Sequence, residues 1–93
     1  MSLPSITSFR FTGHALQEMR RRNISEAEVT QVLANPEQAD KVLPTRARAI
    51  YQARIEQGEP PKQYLLRVFV DIDDIPPSVV TVYRTSKVRK YWR

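Results

Sequence analysis

The sequence predicts an α+β domain, with helices in the first half of the chain and strands in the second. Three observations predict this: helical spacing of apolar residues after Thr12, a capping box at residues 25–28, and stretches rich in β-branched residues after residue 46. Because helices and strands are segregated along the chain, we expect the helices to cover one sheet face. The expected order is a short N-terminal strand, a two-helix hairpin and a three- to four-stranded antiparallel sheet.

The first predicted elements are a short edge strand and a helix. Residues 9–11 alternate apolar and polar side chains, which is typical of a strand. Thr12 is a good helix N-cap, and Asn23 can end the helix because asparagine tolerates the left-handed backbone conformation. Apolar residues spaced three and four apart follow the cap: Ala15, Leu16 and Met19.

The second predicted helix has the clearest local signal in the chain. Ser25 and Glu28 form a capping box, in which each side chain satisfies the other's backbone N–H. Ile24 and Val29 flank it as a hydrophobic staple. The Asn-Pro pair at residues 35–36 ends the helix, because proline cannot continue it.

The sequence of the second half of the chain predicts strands. Residues 64–70 are nearly all apolar, as in a central strand, and residues 79–84 are dominated by β-branched side chains. Residues 71–77 form an acid- and proline-rich turn between them. Residues 46–56 fit either a helix, by intrinsic propensity, or a strand, by two-residue alternation. The alternation is cleaner, and the following loop allows antiparallel pairing, so we favour a strand.

Length and composition limit the classes of protein. A chain of 93 residues suits one domain, residues 1–93. It has no cysteine and a single histidine, so we expect neither a disulfide framework nor a metal or cofactor site. No apolar run approaches the roughly 18 residues that a membrane helix needs, and no signal peptide is recognised. We therefore expect a cytoplasmic protein that does not bind membranes.

The positive charge is concentrated at the C-terminus. The net charge is +5, and residues 75–93 hold five basic residues and no acidic one. The rest of the chain balances ten basic against ten acidic residues. A local excess of this kind suits a polyanionic partner such as RNA. A solvated tail that only maintains solubility is the alternative.

Two motifs resemble those of a known family. The segment Phe11-Thr12-Gly13-His14-Ala15, followed by Met19, Arg22 and Ile24-Ser25, is similar to the F-T-x-H-A…M-x-x-R-x-I-S opening of a bacterial domain family of unknown function. Residues 79–84 match its closing V-V-T-V-Y-R strand. Domains of this type resemble RelE-like and barnase-like ribonucleases of toxin–antitoxin systems. The resemblance implies that fold, cleavage of RNA without a metal, and restraint by an antitoxin or another cognate protein.

Three residues are the candidate catalytic groups: His14, Tyr83 and Arg84. His14 would lie in the first turn of a helix, whose positive end favours a neutral imidazole that can accept a proton. Tyr83 and Arg84 are adjacent on a strand and therefore point to opposite faces. The resemblance places an arginine and a tyrosine near the C-terminal strand. Alternatively, His14 caps the helix or packs against the sheet, and Tyr83 fills core volume.

A second set of residues is predicted to bind RNA. Three arginines would lie on one strand face, next to a fourth on the neighbouring strand: Arg46, Arg48, Arg54 and Arg67. The tail adds cations interleaved with aromatic residues, which suits single-stranded nucleic acid: Lys87, Arg89, Lys90, Tyr91 and Trp92. Alternatively, the arginines pair with acids on an ordinary surface, and Trp92 folds back to complete the core.

The sequence therefore favours two functions, and it leaves a purely structural partner subunit open as a third. The first is a toxin-like, metal-independent endoribonuclease that a partner restrains. The second is a module of the same fold that binds RNA or protein and cuts nothing. The second is favoured by the sequence's lack of a second histidine and of an obvious glutamate base.

Overall fold

The chain folds into a mixed β-sheet that carries two helices on one face. The computed structural model describes residues 3–42 and 48–92. Its elements in chain order are β1 (Arg10–Phe11), α1 (Gly13–Arg22), α2 (Glu26–Ala34), β2 (Gln38–Lys41), β3 (Arg48–Gln57), β4 (Lys62–Asp71), β5 (Ser78–Thr85) and α3 (Val88–Tyr91). The predicted α+β class is confirmed.

The caps of α1 and α2 form as their sequences predict. The Thr12 hydroxyl accepts a hydrogen bond from the Ala15 N–H at 3.1 Å. Asn23 ends α1 in the left-handed region, with φ of 56°. In α2, the capping box is complete, with Ser25 N donating to Glu28 Oε1 at 2.9 Å and Glu28 N donating to Ser25 Oγ at 3.1 Å. Local hydrogen bonding therefore fixes where both helices begin.

The described part of the sheet contains four antiparallel strands, which is the upper end of the predicted range, and the short strand β1 joins it in parallel. Within the described residues it has five strands in the order β1-β5-β4-β3-β2. The edge strand β1 runs parallel to β5, whereas all other neighbours are antiparallel. Strand β2 was not predicted, because its sequence, Gln-Ala-Asp-Lys, has little β propensity and only Ala39 in it is buried.

The central strands confirm two predictions. Strand β4 occupies the middle of the sheet, as expected from its apolar sequence. Residues 48–57 form the strand β3, so the helical alternative for this segment is wrong. Residues 43–47, with Arg46, lie outside the described residues.

The core lies between the sheet and the two helices, and it contains side chains from one face of each strand. Tyr51 of β3, Val68 of β4 and Val82 of β5 are all buried there. Sequence alternation predicts Val80 on this face, but Val80 is only partly buried. A bulge places Val79 opposite Val70 and Thr81 opposite Phe69, so Val79 is buried instead.

Candidate nucleic-acid interface

The sheet face opposite α1 and α2, here called the open face, carries most of the predicted RNA-binding arginines. Because side chains alternate along strands, even-numbered residues of β3 and odd-numbered residues of β4 share this face. The register sets Gln52, Arg67 and Tyr83 side by side across three strands. The short helix α3 packs against β4 and contributes Tyr91. These four residues are called the Arg67 network below.

Arg67 lies at the centre of this network and is only 7% exposed. Its Nε donates to Gln52 Oε1 at 2.9 Å, and its Nη1 donates to the Tyr83 hydroxyl at 2.5 Å. The guanidinium carbon lies 4.3 Å from the centroid of the Tyr91 ring. Its Nη2 makes no hydrogen bond to any residue that the structure describes. One edge of the guanidinium is therefore available to a further acceptor.

Gln52 fixes the orientation of Arg67. Because arginine only donates, Gln52 presents its oxygen to Arg67 and its nitrogen elsewhere. Gln52 Nε2 donates to Gln38 Oε1 at 2.6 Å and to the Tyr91 carbonyl oxygen at 3.1 Å. Gln52 is fully buried. The network therefore holds the arginine and the C-terminal segment in one arrangement.

No carboxylate pairs with Arg67 among residues 3–42 and 48–92. A buried charge without an opposite charge is unfavourable, and hydrogen bonds to neutral groups offset only part of this cost. The aromatic rings of Phe69, Tyr83 and Tyr91 add cation–π attraction. An anion that approached Nη2 would supply the missing charge, and a phosphate fits this geometry well.

The other two described arginines of the open face already have acidic partners. Arg48 binds both oxygens of Asp71, at 2.7 and 3.1 Å, and this carboxylate raises the pKa of Arg48. Arg54 Nη2 donates to Glu37 Oε2 at 2.9 Å, and the hydrogen bonds from Arg54 lower the pKa of the Glu37 carboxyl. The alternative of a paired, mixed-charge face therefore holds for Arg48 and Arg54 but not for Arg67.

Acidification should weaken the Glu37–Arg54 pair. Since the folded pKa of Glu37 is lowered, its stabilising effect is complete above the unfolded pKa of about 4.3 and is lost as the pH falls through the folded pKa. The Glu37→Gln variant should therefore lose less stability than wild type between about pH 6 and pH 3. Urea unfolding midpoints across this range test the prediction. Equal losses in both proteins would contradict it.

The C-terminal segment folds back onto the open face instead of extending into solvent. Trp92 stacks on Arg54, whose guanidinium carbon is 4.3 Å from the indole centroid. Three predicted RNA-binding cations lie beside a groove of about 500 Å³, which Gln63 and Ser86 also line: Lys87, Arg89 and Lys90. Tyr91 and Trp92 are both partly exposed. Lys90 Nζ lies 5.4 Å from the centroid of the Tyr91 ring, and this contact connects the cations of the tail to the Arg67 network.

The structure places His14 and Arg84 elsewhere. His14 is exposed in the first turn of α1, and Thr12, not His14, caps this helix. Arg84 extends from the helix-covered face, and its Nη2 donates to the Arg22 carbonyl oxygen at 2.7 Å, at the other end of α1. These ends are roughly 12 Å apart along the helix. Of the three candidate catalytic residues, only Tyr83 belongs to the Arg67 network.

Arg84 is expected to contribute stability but not RNA binding. Its guanidinium also donates to the Asn23 carbonyl oxygen, at 3.4 Å, so it satisfies two groups at the end of α1. Arg84→Ala should lower the free energy of unfolding by about 1 kcal/mol. Chemical denaturation and RNA-binding measurements on the same sample test this. A large loss of RNA affinity without destabilisation would contradict it.

Gln38 and Gln52 are the members of the site that the sequence analysis missed. For Gln52 a signal exists: the alternation that predicts β3 places it on the same face as Arg48 and Arg54, although it does not show that Gln52 orients an arginine. Gln38 gives no such signal, because β2 was not predicted. The hydrogen bond between Gln38 and the buried Gln52 becomes visible only once the strand order is known.

Within the described ranges, no three histidine or carboxylate side chains form a group that could hold a metal ion. None of the described helices is long and apolar enough to cross a membrane.

The fold and the open face together define an α+β domain with a buried arginine site. The chain belongs to the family described as Domain of unknown function (DUF4258), whose model matches residues 11–84. The match begins at Phe11, just before α1, and ends at Arg84, near the end of β5. Searches of curated proteins and of solved structures gave no significant match.

Proposed function

We propose that this protein is a toxin-like, metal-independent endoribonuclease that acts on single-stranded RNA at the Arg67 network. One observation carries the proposal: a buried arginine with no acidic partner among the described residues presents a free guanidinium edge beside a tyrosine hydroxyl. The family resemblance to RelE-like and barnase-like ribonucleases, which also implies a bacterial source, supports the same function.

Arg67 would bind the phosphate that is cleaved. A guanidinium matches the geometry of phosphate oxygens and keeps its charge at all physiological pH values. Gln52 and Tyr91 hold this group in place before any ligand arrives. Preorganised donors of this kind stabilise the additional negative charge that develops on the phosphorane during cleavage.

The aromatic residues favour single-stranded RNA. Tyr91 and Trp92 are partly exposed beside the site, where unpaired bases can stack on their rings. Lys87, Arg89 and Lys90 would hold the flanking phosphates. A duplex keeps its bases stacked on one another, so it would use only the electrostatic part of this surface.

Tyr83 is proposed as the general acid. Its oxygen accepts a hydrogen bond from Arg67, so its own proton is free to be donated. In the reaction, the RNA 2′-oxygen loses its proton to solvent and attacks the adjacent phosphorus. The bond from phosphorus to the 5′-oxygen breaks, and the leaving oxygen takes the Tyr83 proton. The products are a 2′,3′-cyclic phosphate and a 5′-hydroxyl end.

One observation favours the second candidate, an RNA-binding module without cleavage. No free base lies beside Arg67 among the described residues: Glu37 is paired with Arg54, and Asp71 with Arg48. Asp71 is also about 13 Å from Arg67 along β4, and His14 lies in α1, which packs on the other sheet face. A protein lacking a base would retain RNA but cut it slowly or not at all.

Incubation of purified protein with end-labelled single-stranded RNA in excess EDTA distinguishes these functions. The proposal predicts fragments that end in a 2′,3′-cyclic phosphate, with salt-sensitive binding of the intact RNA. Retention of RNA without fragments would favour the binding module. A protein that neither retains the RNA nor cleaves it would contradict both functions. In cells, the nuclease should arrest growth unless its cognate partner is produced with it.

A further inference from the structure

Among the described strands, none lies beside the second half of β3 on the side of β2. Strand β2 pairs only with residues 49–52 of β3, whereas β3 continues to Gln57. The Arg54 backbone N–H points to this side and donates to Glu37 Oε1 at 2.6 Å, where a strand partner's carbonyl would otherwise lie. By the alternation of a strand, the backbone groups of Glu56 point the same way. None of the described strands pairs with this stretch of edge.

A groove of about 450 Å³, here called the edge groove, opens beside this part of β3. It lies between β3 and α2, and Val32, Ala53 and Ile55 give it apolar surface. Ala27 and Gln31, both exposed on α2, form the other side. An extended peptide that paired with the β3 edge would place alternate side chains in this groove.

The flank that α2 and β2 form around the edge groove is acidic, although the chain as a whole is basic. Residues 23–40 contain four acidic residues and no basic residue, in a protein of net charge +5. Glu28 and Glu37 line the groove itself. Glu37 is neutralised by Arg54. Among the described residues, Glu28 accepts hydrogen bonds only from the neutral groups Ser25 N and Gln57 Nε2. This flank therefore attracts a cationic partner.

We propose that the edge groove binds an extended, cationic segment of a partner protein, which adds to β3 as a further strand. The open edge would supply backbone hydrogen bonds, the groove would accept apolar side chains, and the acidic flank would select lysine or arginine between them. The inference does not depend on the proposed ribonuclease, because the groove lies against α2 and not at the Arg67 network.

The edge groove is also connected to the open face through one residue. Arg54 lines the groove, pairs with Glu37 there, and stacks on Trp92 on the other side. A bound strand would take over the Arg54 backbone N–H from Glu37. We therefore expect binding at the groove to change the environment of Trp92, the one tryptophan in the sequence.

The probes are three acetylated and amidated nonapeptides in which lysine alternates with valine, leucine or phenylalanine. Each is titrated into the full, 15N-labelled chain, and amide shifts are followed by NMR. At least one peptide should shift the amides of Gln31, Arg54 and Glu56. A version with glutamate in place of lysine should bind about tenfold more weakly or not at all. N-methylation of alternate residues, on the edge that faces β3, should also weaken binding about tenfold.

Two matched variants test whether the peptides bind in the edge groove. Gln31→Trp fills the groove and should weaken binding about tenfold, whereas Gln17→Trp, at an exposed position of α1, should leave binding unchanged. The proposal is overturned if no peptide shifts these amides at millimolar concentration, or if N-methylation and Gln31→Trp have no effect. It is also overturned if the same amides shift with protein concentration alone, because the occupant is then a second copy of the chain.

Discussion

Replacement of Arg67 by lysine should weaken the binding of single-stranded RNA by about tenfold to a hundredfold, the loss expected for a charge-assisted hydrogen bond. Lysine keeps the positive charge but cannot donate to Gln52, Tyr83 and a phosphate in one plane. The loss would therefore reflect geometry and not net charge. Fluorescence anisotropy of a labelled oligonucleotide, at one fixed salt concentration, measures the affinity.

Arg48→Lys is the matched control for this prediction. Arg48 shares the open face, but its guanidinium already binds both oxygens of Asp71. We expect this variant to change RNA affinity by less than about threefold, because exposed ion pairs contribute little. Thermal unfolding of each variant shows whether the fold is intact. An Arg67→Lys protein that is folded and binds RNA as well as wild type would contradict the assignment of the site.

Replacement of Tyr83 by phenylalanine should slow RNA cleavage about 10²- to 10⁴-fold, the usual contribution of a general acid. The ring remains, so its stacking with Phe69, with centroids 6.0 Å apart, is kept. RNA binding should weaken much less than cleavage, because Arg67 still reaches a phosphate. Single-turnover cleavage with enzyme in excess separates the chemical step from binding.

Tyr64→Phe is the matched control, since Tyr64 lies on β4 with its side chain on the face opposite that of Arg67. It should cleave RNA at the wild-type rate. If Tyr83→Phe also cleaves at the wild-type rate, Tyr83 is not the acid. If neither the wild-type protein nor any variant cleaves RNA but all bind it, the binding module is the correct function.

Local signals made much of the fold predictable. Thr12 and the Ser25–Glu28 box set the helix starts through hydrogen bonds within four residues of the chain. The alternation in residues 46–56 predicted β3, and the pattern is clear because one face of that strand is largely buried. In each case, the information lies in a short segment and does not depend on the rest of the fold.

Features that depend on distant neighbours were not predictable. Strand β2 forms because β3 is adjacent to it, and its own four residues show no strand preference. The bulge that buries Val79 instead of Val80 is a property of the β4–β5 pair and not of β5 alone. The parallel pairing of β1 with β5 likewise joins segments that are far apart in the sequence, Arg10 with Ser78.

In the candidate site, too, the local features were predictable from the sequence and the contacts between distant segments were not. The sequence placed Arg48, Arg54 and Arg67 on one face, which the strand register confirms. It could not show which of these arginines lacks an acid, because the partners Glu37 and Asp71 come from distant parts of the chain. The ion pairs between distant segments therefore distinguish the arginines with a structural role, Arg48 and Arg54, from Arg67, which is the candidate functional residue.

The most direct test of the central claim is an NMR titration of the wild-type protein with a short single-stranded RNA. We predict that the backbone amides of Gln52, Arg67 and Tyr83 and the indole N–H of Trp92 shift together, while the amide of His14 does not move. Shifts confined to α1, with the sheet amides unchanged, would show that RNA does not bind at the Arg67 network and would contradict the account.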